Sequence, residues 1–153
     1  MLISFIFIAF FAGLAFATQS AINSQLASTF LNQPIVAALM SFLVGTIVLL
    51  IICLIKVDFI STFQHFPRQS WWKLIGGVLG AFAVIATIFL APKMGITNML
   101  FFIIIGQLIG ALVIDHFGLI GMPKRPMDLW QLLGFFTVAL GLAIFFFGKK
   151  WFI

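Results

Sequence analysis

The chain runs to 153 residues, 64% of them hydrophobic and 7% charged, with 21 Phe and no Tyr; its mean hydropathy is +1.31. So short and so apolar a chain cannot hide its surface from water, which excludes a soluble fold and makes the bilayer its solvent. The formal charge of +5 is scattered between apolar runs, where basic residues read as topology signals and headgroup anchors, not as a nucleic-acid surface.

A hydrocarbon core of roughly 30 Å needs about 20 helical residues. Five runs reach that length: Leu2 to about Ile22, Pro34 to Ile55, Trp71 to Ala91, Met94 to Ile114, and Leu129 to Gly148. This predicts a single all-α membrane domain over residues 1–153, a bundle of five transmembrane helices. In the first run, Ala15-Phe16-Ala17 resembles a cleavage site, but Met1-Leu2-Ile3-Ser4 supplies no basic n-region, so the run is expected to stay as a span. It is followed by the uncharged polar stretch "FATQSAINSQLAST", Phe16 to Thr29. Residues up to Ala17 are too few to cross the core, so Gln19 and Asn23 must lie within the bilayer or at its edge. Four apart, they share a helix face, with Ser20 beside them. Uncharged polar groups at that depth need partners. Residue chemistry leaves two readings open, glue between helices and contact with a substrate.

The second run opens on Pro34, suited to a first helical position, and contains Cys53. The only cysteine, it cannot form an intramolecular disulfide and reads as a small core residue. In the connection Lys56 to Ser70, Phe59, Phe63 and Phe66 recur at helical spacing and suit a segment lying along the interface. Ser70 is a candidate cap for the third run, which Pro92 is expected to close. Gln107, directly after Gly106, lies near the middle of the fourth run, where an amide will not face lipid; pore lining and helix bonding are both open. Ser41, Thr46, Thr87, Asn98 and Thr137 are weaker signals, because a hydroxyl can bond back to its own helix.

Asp115-His116 ends the fourth run. A carboxylate near a helix C-terminus opposes the macrodipole and invites a partner, and a histidine there makes the pair a candidate gating or proton-coupling element. The plainer reading is an interfacial cap. Gly118 and Gly121 follow, and Asp128 with Gln131 has capping-box spacing before the fifth run. Trp71, Trp72, Trp130 and Trp151 fall at run ends, where amphipathic rings sit at headgroup level. Small residues recur within the runs, at Gly13, Gly45, Gly76, Gly80, Gly106 and Gly110 among others, mostly at the spacing that lets helix backbones approach in lipid. They predict a tightly packed bundle.

With five spans, Lys56, Arg68, Lys73, Lys124 and Arg125 fall on one side and Lys93, Lys149 and Lys150 on the other. Five against three is a weak bias. It suits dual topology, in which two copies of opposite orientation reproduce the inverted repeat of many transporters around a site near the midplane. The chain has no Glu and no carboxylate central to a run, which argues against a deep acid trading protons for cations. With two histidines and one cysteine it offers no convincing zinc site, phosphate loop or Ser-His-Asp set. No cofactor is expected, and an enzyme is not.

Several motifs taken together, "QSAINSQL" (Gln19 to Leu26), "P-x-x-A-x-x-x-SF-x-x-G" (Pro34 to Gly45), "GGVLG" (Gly76 to Gly80), "APKMG" (Ala91 to Gly95) and "GQLIGALVIDHFGL" (Gly106 to Leu119), resemble the YdcZ-like family, the short five-span members of the drug/metabolite transporter superfamily. The resemblance implies a bacterial inner-membrane protein equivalent to half of a ten-helix inverted-repeat fold, completed by antiparallel pairing with itself or with a sister chain of opposite orientation. Gln19, Ser20, Asn23, Gln107, Asp115 and His116 fall on the family's motif positions. That favours a substrate cavity lined by the first four and gating or coupling by the last two. The expected function is secondary transport or export of a small polar or amphipathic metabolite; the alternative is a non-transporting membrane scaffold or regulatory subunit. The membrane glutamate of the small multidrug resistance proteins is missing, so proton-coupled export of cationic drugs does not carry over.

Overall fold

The computed structural model of the chain describes residues 2–152, without the side chains of Arg68 and 149–152. Arg68, Lys149, Lys150 and Trp151, read from sequence as topology or interface markers, thus lie outside the described side chains. The helices are α1 (Leu2–Thr29), α2 (Pro34–Lys56), α3 (Phe59–Phe63), α4 (Ile75–Met94), α5 (Ile96–Phe117) and α6 (Leu129–Phe152), with short 3₁₀ turns between α3 and α4 and between α5 and α6. Five are long and apolar enough to cross a membrane, α4 being extended at its start to Trp71.

The polar stretch after Ala17 does not end the first helix. α1 continues to Thr29, seven residues beyond the sequence estimate. Hydroxyls make this cheap, because Thr18 and Ser20 donate to the carbonyls of Leu14 and Phe16, each at 2.9 Å, and so need no outside partner. Pro34 takes a first-turn position of α2 as expected. Ser70 stands at the cap position of the turn leading into α4, but its side chain bonds no backbone N–H there. Pro92 does not close α4. A proline removes one ladder bond without stopping the helix at once, and the turn is completed to Met94; Gly95, at φ +82°, then ends it while its N–H donates to the Ala91 carbonyl at 3.0 Å. Asp128 and Gln131 form the capping box read from their spacing, with bonds of 2.7 and 3.2 Å.

The chain divides after Ile96 into two compact units. In the first, α1, α2 and α4 pack together around a core of Ala27, Ala37, Ala38 and Ile88, against which Leu26, Val84 and Ile85 lie half-buried. Three of the four core residues are alanines, so it is the small side chain that lets these backbones converge. The glycines behave differently. Of those expected at helix contacts, Gly80 approaches Phe42 at 4.0 Å, whereas a Cβ on Gly13, Gly45, Gly76, Gly106 or Gly110 would meet no neighbouring described atom within 4 Å. Among the described residues of this unit, the buried core lies toward the end where α1 finishes, α2 starts and α4 finishes. Residues 2–15 of α1 are exposed throughout.

In the second unit, α5 and α6 form a hairpin. At its open end Phe101 and Phe102 of α5 meet Phe145 and Phe146 of α6, with ring centroids as close as 4.5 Å. At the closed end the chain reverses through Gly118 (φ +64°), Ile120 (φ +58°) and Gly121 (φ +77°). In the connection between α2 and α4, the Phe59, Phe63 and Phe66 rings, read from sequence as recurring at helical spacing, stack in succession at 5.5 and 5.3 Å.

Candidate functional site

On α1, Ser20, Asn23 and Ala27 are the buried residues; separated by three and four positions, they form the stripe turned toward α2 and α4. Ser20, 2% exposed, is satisfied by its own helix and belongs to the packing. Asn23 is different. It is 3% exposed, and its Nδ2 has no hydrogen-bond acceptor among the described residues. A hydroxyl can reach back to a carbonyl one turn away, but in this rotamer the asparagine amide does not. Leaving such a donor unmet costs about 1–3 kcal/mol, more keenly felt where no water competes.

Asn23 lines a wide, shallow groove of about 530 Å³ on the α1 flank, together with Gln19 one turn earlier and Ser41 of α2; the remaining wall is Phe11, Leu14, Ala15, Thr18 and Ile22. Gln19, which also lines the groove, is exposed. The site is therefore an apolar trough with two carboxamides and a hydroxyl near one end, able to donate to and accept from a neutral polar group while apolar walls hold the rest of a ligand. At roughly 1.5 Å per residue, Gln19 lies about 26 Å and Asn23 about 32 Å along α1 from Leu2, against a hydrocarbon core of roughly 30 Å.

A second recess of about 430 Å³ lies at the same end of the unit, lined by Ser24, Gln25, Ser28 and Asn32 against Phe89, Pro92 and Lys93. Lys93 rests its ammonium 3.4 Å from the centre of the Phe89 ring, which partly compensates its charge beside an apolar helix. Ser24, Gln25, Ser28 and Asn32 were not singled out as site residues from the sequence, although they belong to the same uncharged stretch and its sequel.

Gln107 and Gly106 belong to the other unit. Both are exposed on α5, so Gln107 presents its amide outward from the hairpin. Asp115 and His116 end the same helix, and the following loop folds back onto them. The Arg125 N–H donates to the Asp115 carbonyl at 2.7 Å, and the Met127 N–H donates to His116 Nδ1 at 3.2 Å. The second bond fixes Nδ1 as an acceptor, so a proton there would remove it. The His116 ring is held edge-on by Phe117 at 4.7 Å. Asp115, Arg125, Met127 and Gln131 line one end of a cavity of about 380 Å³ between α5 and α6. Arg125 and Met127 were not found from sequence, because their part depends on a chain reversal that no spacing rule announces. Among the described residues no group of three metal-ligating side chains occurs.

These features sit on a chain whose residues 4–144 match a family model described as "Putative inner membrane exporter, YdcZ". The chain belongs to this family. It is 28% identical over 116 residues to the inner membrane protein YdcZ of Escherichia coli strain K12, an alignment covering 76% of this chain and 77% of that protein. No solved structure matches it. Family membership and the five apolar helices make the chain a multi-pass bacterial inner-membrane protein, set among transporters.

Proposed function

We propose that the chain is an exporter of a small polar or amphipathic metabolite, acting as an antiparallel homodimer that encloses a substrate cavity between its two copies. Gln19 and Asn23 make the polar contacts from one helix face and Gln107 from another, with Phe-rich walls supplying the apolar ones. Asp115 and His116 act at the membrane edge as gate or coupling element. The observation that carries this reading is the buried Asn23 Nδ2 without an acceptor among the described residues, in a residue that lines the same groove as Gln19. Glue within one bundle would satisfy that donor, and a scaffold would have no reason to keep it unmet.

Three further features support pairing. The weak charge bias permits both orientations. The glycine faces of α1, α2 and α5 are open within the chain and suited to close approach by another helix. Residues 2–15 of α1 expose a continuous apolar surface at the very helix that carries the groove. Rocking of one copy against the other about such contacts would alternate access to the cavity.

The test compares culture media from cells producing wild-type protein, Asn23→Leu and Gln107→Leu. Wild-type cells should enrich a polar metabolite in the medium above non-producing cells, and both variants should lose that enrichment at unchanged membrane levels. Enrichment undiminished in both variants would overturn the assignment of these residues to the cavity.

A further inference from the structure

The cavity between α5 and α6 is separate from the α1 groove and carries a chemistry of its own. Its polar end is lined by Asp115 and Arg125, whose main chains meet where the Arg125 N–H donates to the Asp115 carbonyl. Away from them the walls are apolar, supplied by Leu112, Phe135 and Val138 among others. Both residues line one cavity, yet among the described residues no ion pair joins them and neither has a charged partner. Asp115 lies in the last turn of α5, where the helix dipole disfavours an anion and a cation beside it restores the balance. Arg125 offers a planar fork that matches phosphate oxygens. Trp130, exposed at the start of α6, belongs to the headgroup level of a bilayer, so the charged end of the cavity lies where lipid phosphates lie.

A ligand answering all of this carries an ammonium next to a phosphate, with an apolar tail running into the membrane. We propose that the α5–α6 cavity binds an amine-bearing phospholipid. Its phosphate lies on Arg125 and its ammonium on Asp115, and the start of one acyl chain passes between Leu112 and Val138. A volume of about 380 Å³ suits a headgroup with part of a chain, the rest remaining in the bilayer. The inference shares Asp115 with the transport reading, but it uses neither the groove nor the pairing of copies and is read by lipid binding, so it can fail without transport failing.

The experiment measures the thermal midpoint of the purified full chain in detergent. Short-chain phosphatidylethanolamine, phosphatidylcholine and phosphatidylglycerol are added in turn, and so is O-phosphoethanolamine, which has the headgroup without tails. Phosphatidylethanolamine should raise the midpoint most, because choline lacks N–H donors for Asp115 and glycerol lacks the cation. O-Phosphoethanolamine should do nothing at the same concentration. Asp115→Asn should erase the preference for ethanolamine over glycerol while keeping the glycerol response, and Arg125→Gln should weaken the response to all three lipids about tenfold, as for a lost charge-assisted bond. Equal shifts with all three lipids on the wild-type chain would overturn the proposal whether or not the variants fold. An equal shift with O-phosphoethanolamine would replace the lipid by a soluble ligand, and an unchanged ethanolamine preference in Asp115→Asn would also overturn it.

Discussion

Replacing Asn23 by Leu should leave the fold as stable as before or make it more stable, while removing transport. Leu has the same branching and the same number of side-chain heavy atoms as Asn, so it fits the space among α1, α2 and α4 with little change of shape. It removes a buried donor that has no acceptor, a gain of about 1–3 kcal/mol. Against this stands the extra bulk of methyl groups at a position only 3% exposed, where overpacking costs about 1–3 kcal/mol in the worst cases. Because the two side chains match in branching and heavy-atom count, the cost sits at about 1 kcal/mol, the low end of that range, and the net change lies between about zero and 2 kcal/mol in favour of the variant. Thermal denaturation in detergent, monitored by helical circular dichroism, reads the sign directly. An asparagine that serves as glue gives the opposite sign, because its removal breaks bonds. A midpoint that falls by the equivalent of more than about 1 kcal/mol would refute the view that Asn23 is held ready for a ligand.

Other substitutions test the geometry around the site. Gly118→Ala meets two obstacles, a left-handed backbone at φ +64° and contacts of 3.2 Å to the Lys124 Cβ and 3.3 Å to the Met122 carbonyl. The backbone alone costs about 1–2 kcal/mol, so it should lower the thermal midpoint more than Gly121→Ala, whose added Cβ meets no described neighbour. His116→Leu removes the acceptor of the Met127 N–H, a loss of about 0.5–1.5 kcal/mol; limited trypsin digestion after Lys124 should quicken as the loop loosens. Gly106→Leu meets no clash within the chain. It should leave the monomer's helical content intact while weakening dimers seen by cross-linking; unchanged dimers would remove that face from the contact. Asp58 caps α3, and hydrogen bonds from Ser61, first from its hydroxyl and then from its backbone N–H, hold the carboxyl below its ordinary value. The stabilisation is present above the unfolded-state value and is lost as pH falls through the folded one, so the protection of the Phe59–Phe63 amides, taken relative to their intrinsic exchange rate at each pH, should fall in acid, and less so in Asp58→Asn.

What the sequence revealed divides along a physical line. Features set by interactions a few residues long were legible. The capping box of Asp128 and Gln131, the first-turn proline Pro34 and the stacked Phe59, Phe63 and Phe66 each follow from one helical turn of spacing. The five spans were legible because apolar length alone decides them. Boundaries set by competition were not. Thr18 and Ser20 absorb their own polarity, and α1 runs on to Thr29; Pro92 gives up one bond, and α4 runs on to Gly95. Of the candidate cavity residues, Gln19 and Asn23 share a groove, whereas Ser20 is drawn into the packing. The meeting of Asp115 with Arg125, and of His116 with Met127, needs three left-handed residues between them. One of these is Ile120, whose side chain gives no hint of that backbone conformation.

The first measurement to make is the orientation of the chain in cells. A single cysteine is placed at Gln64, in the connection between α2 and α4, on a Cys53→Ala background, and intact and permeabilised cells are labelled with a membrane-impermeant thiol reagent. Antiparallel pairing of identical copies predicts that about half of the protein is labelled in intact cells, in line with a dual topology set by weak charge bias, and the remainder only after permeabilisation. Labelling confined to one side of the membrane would contradict the homodimer.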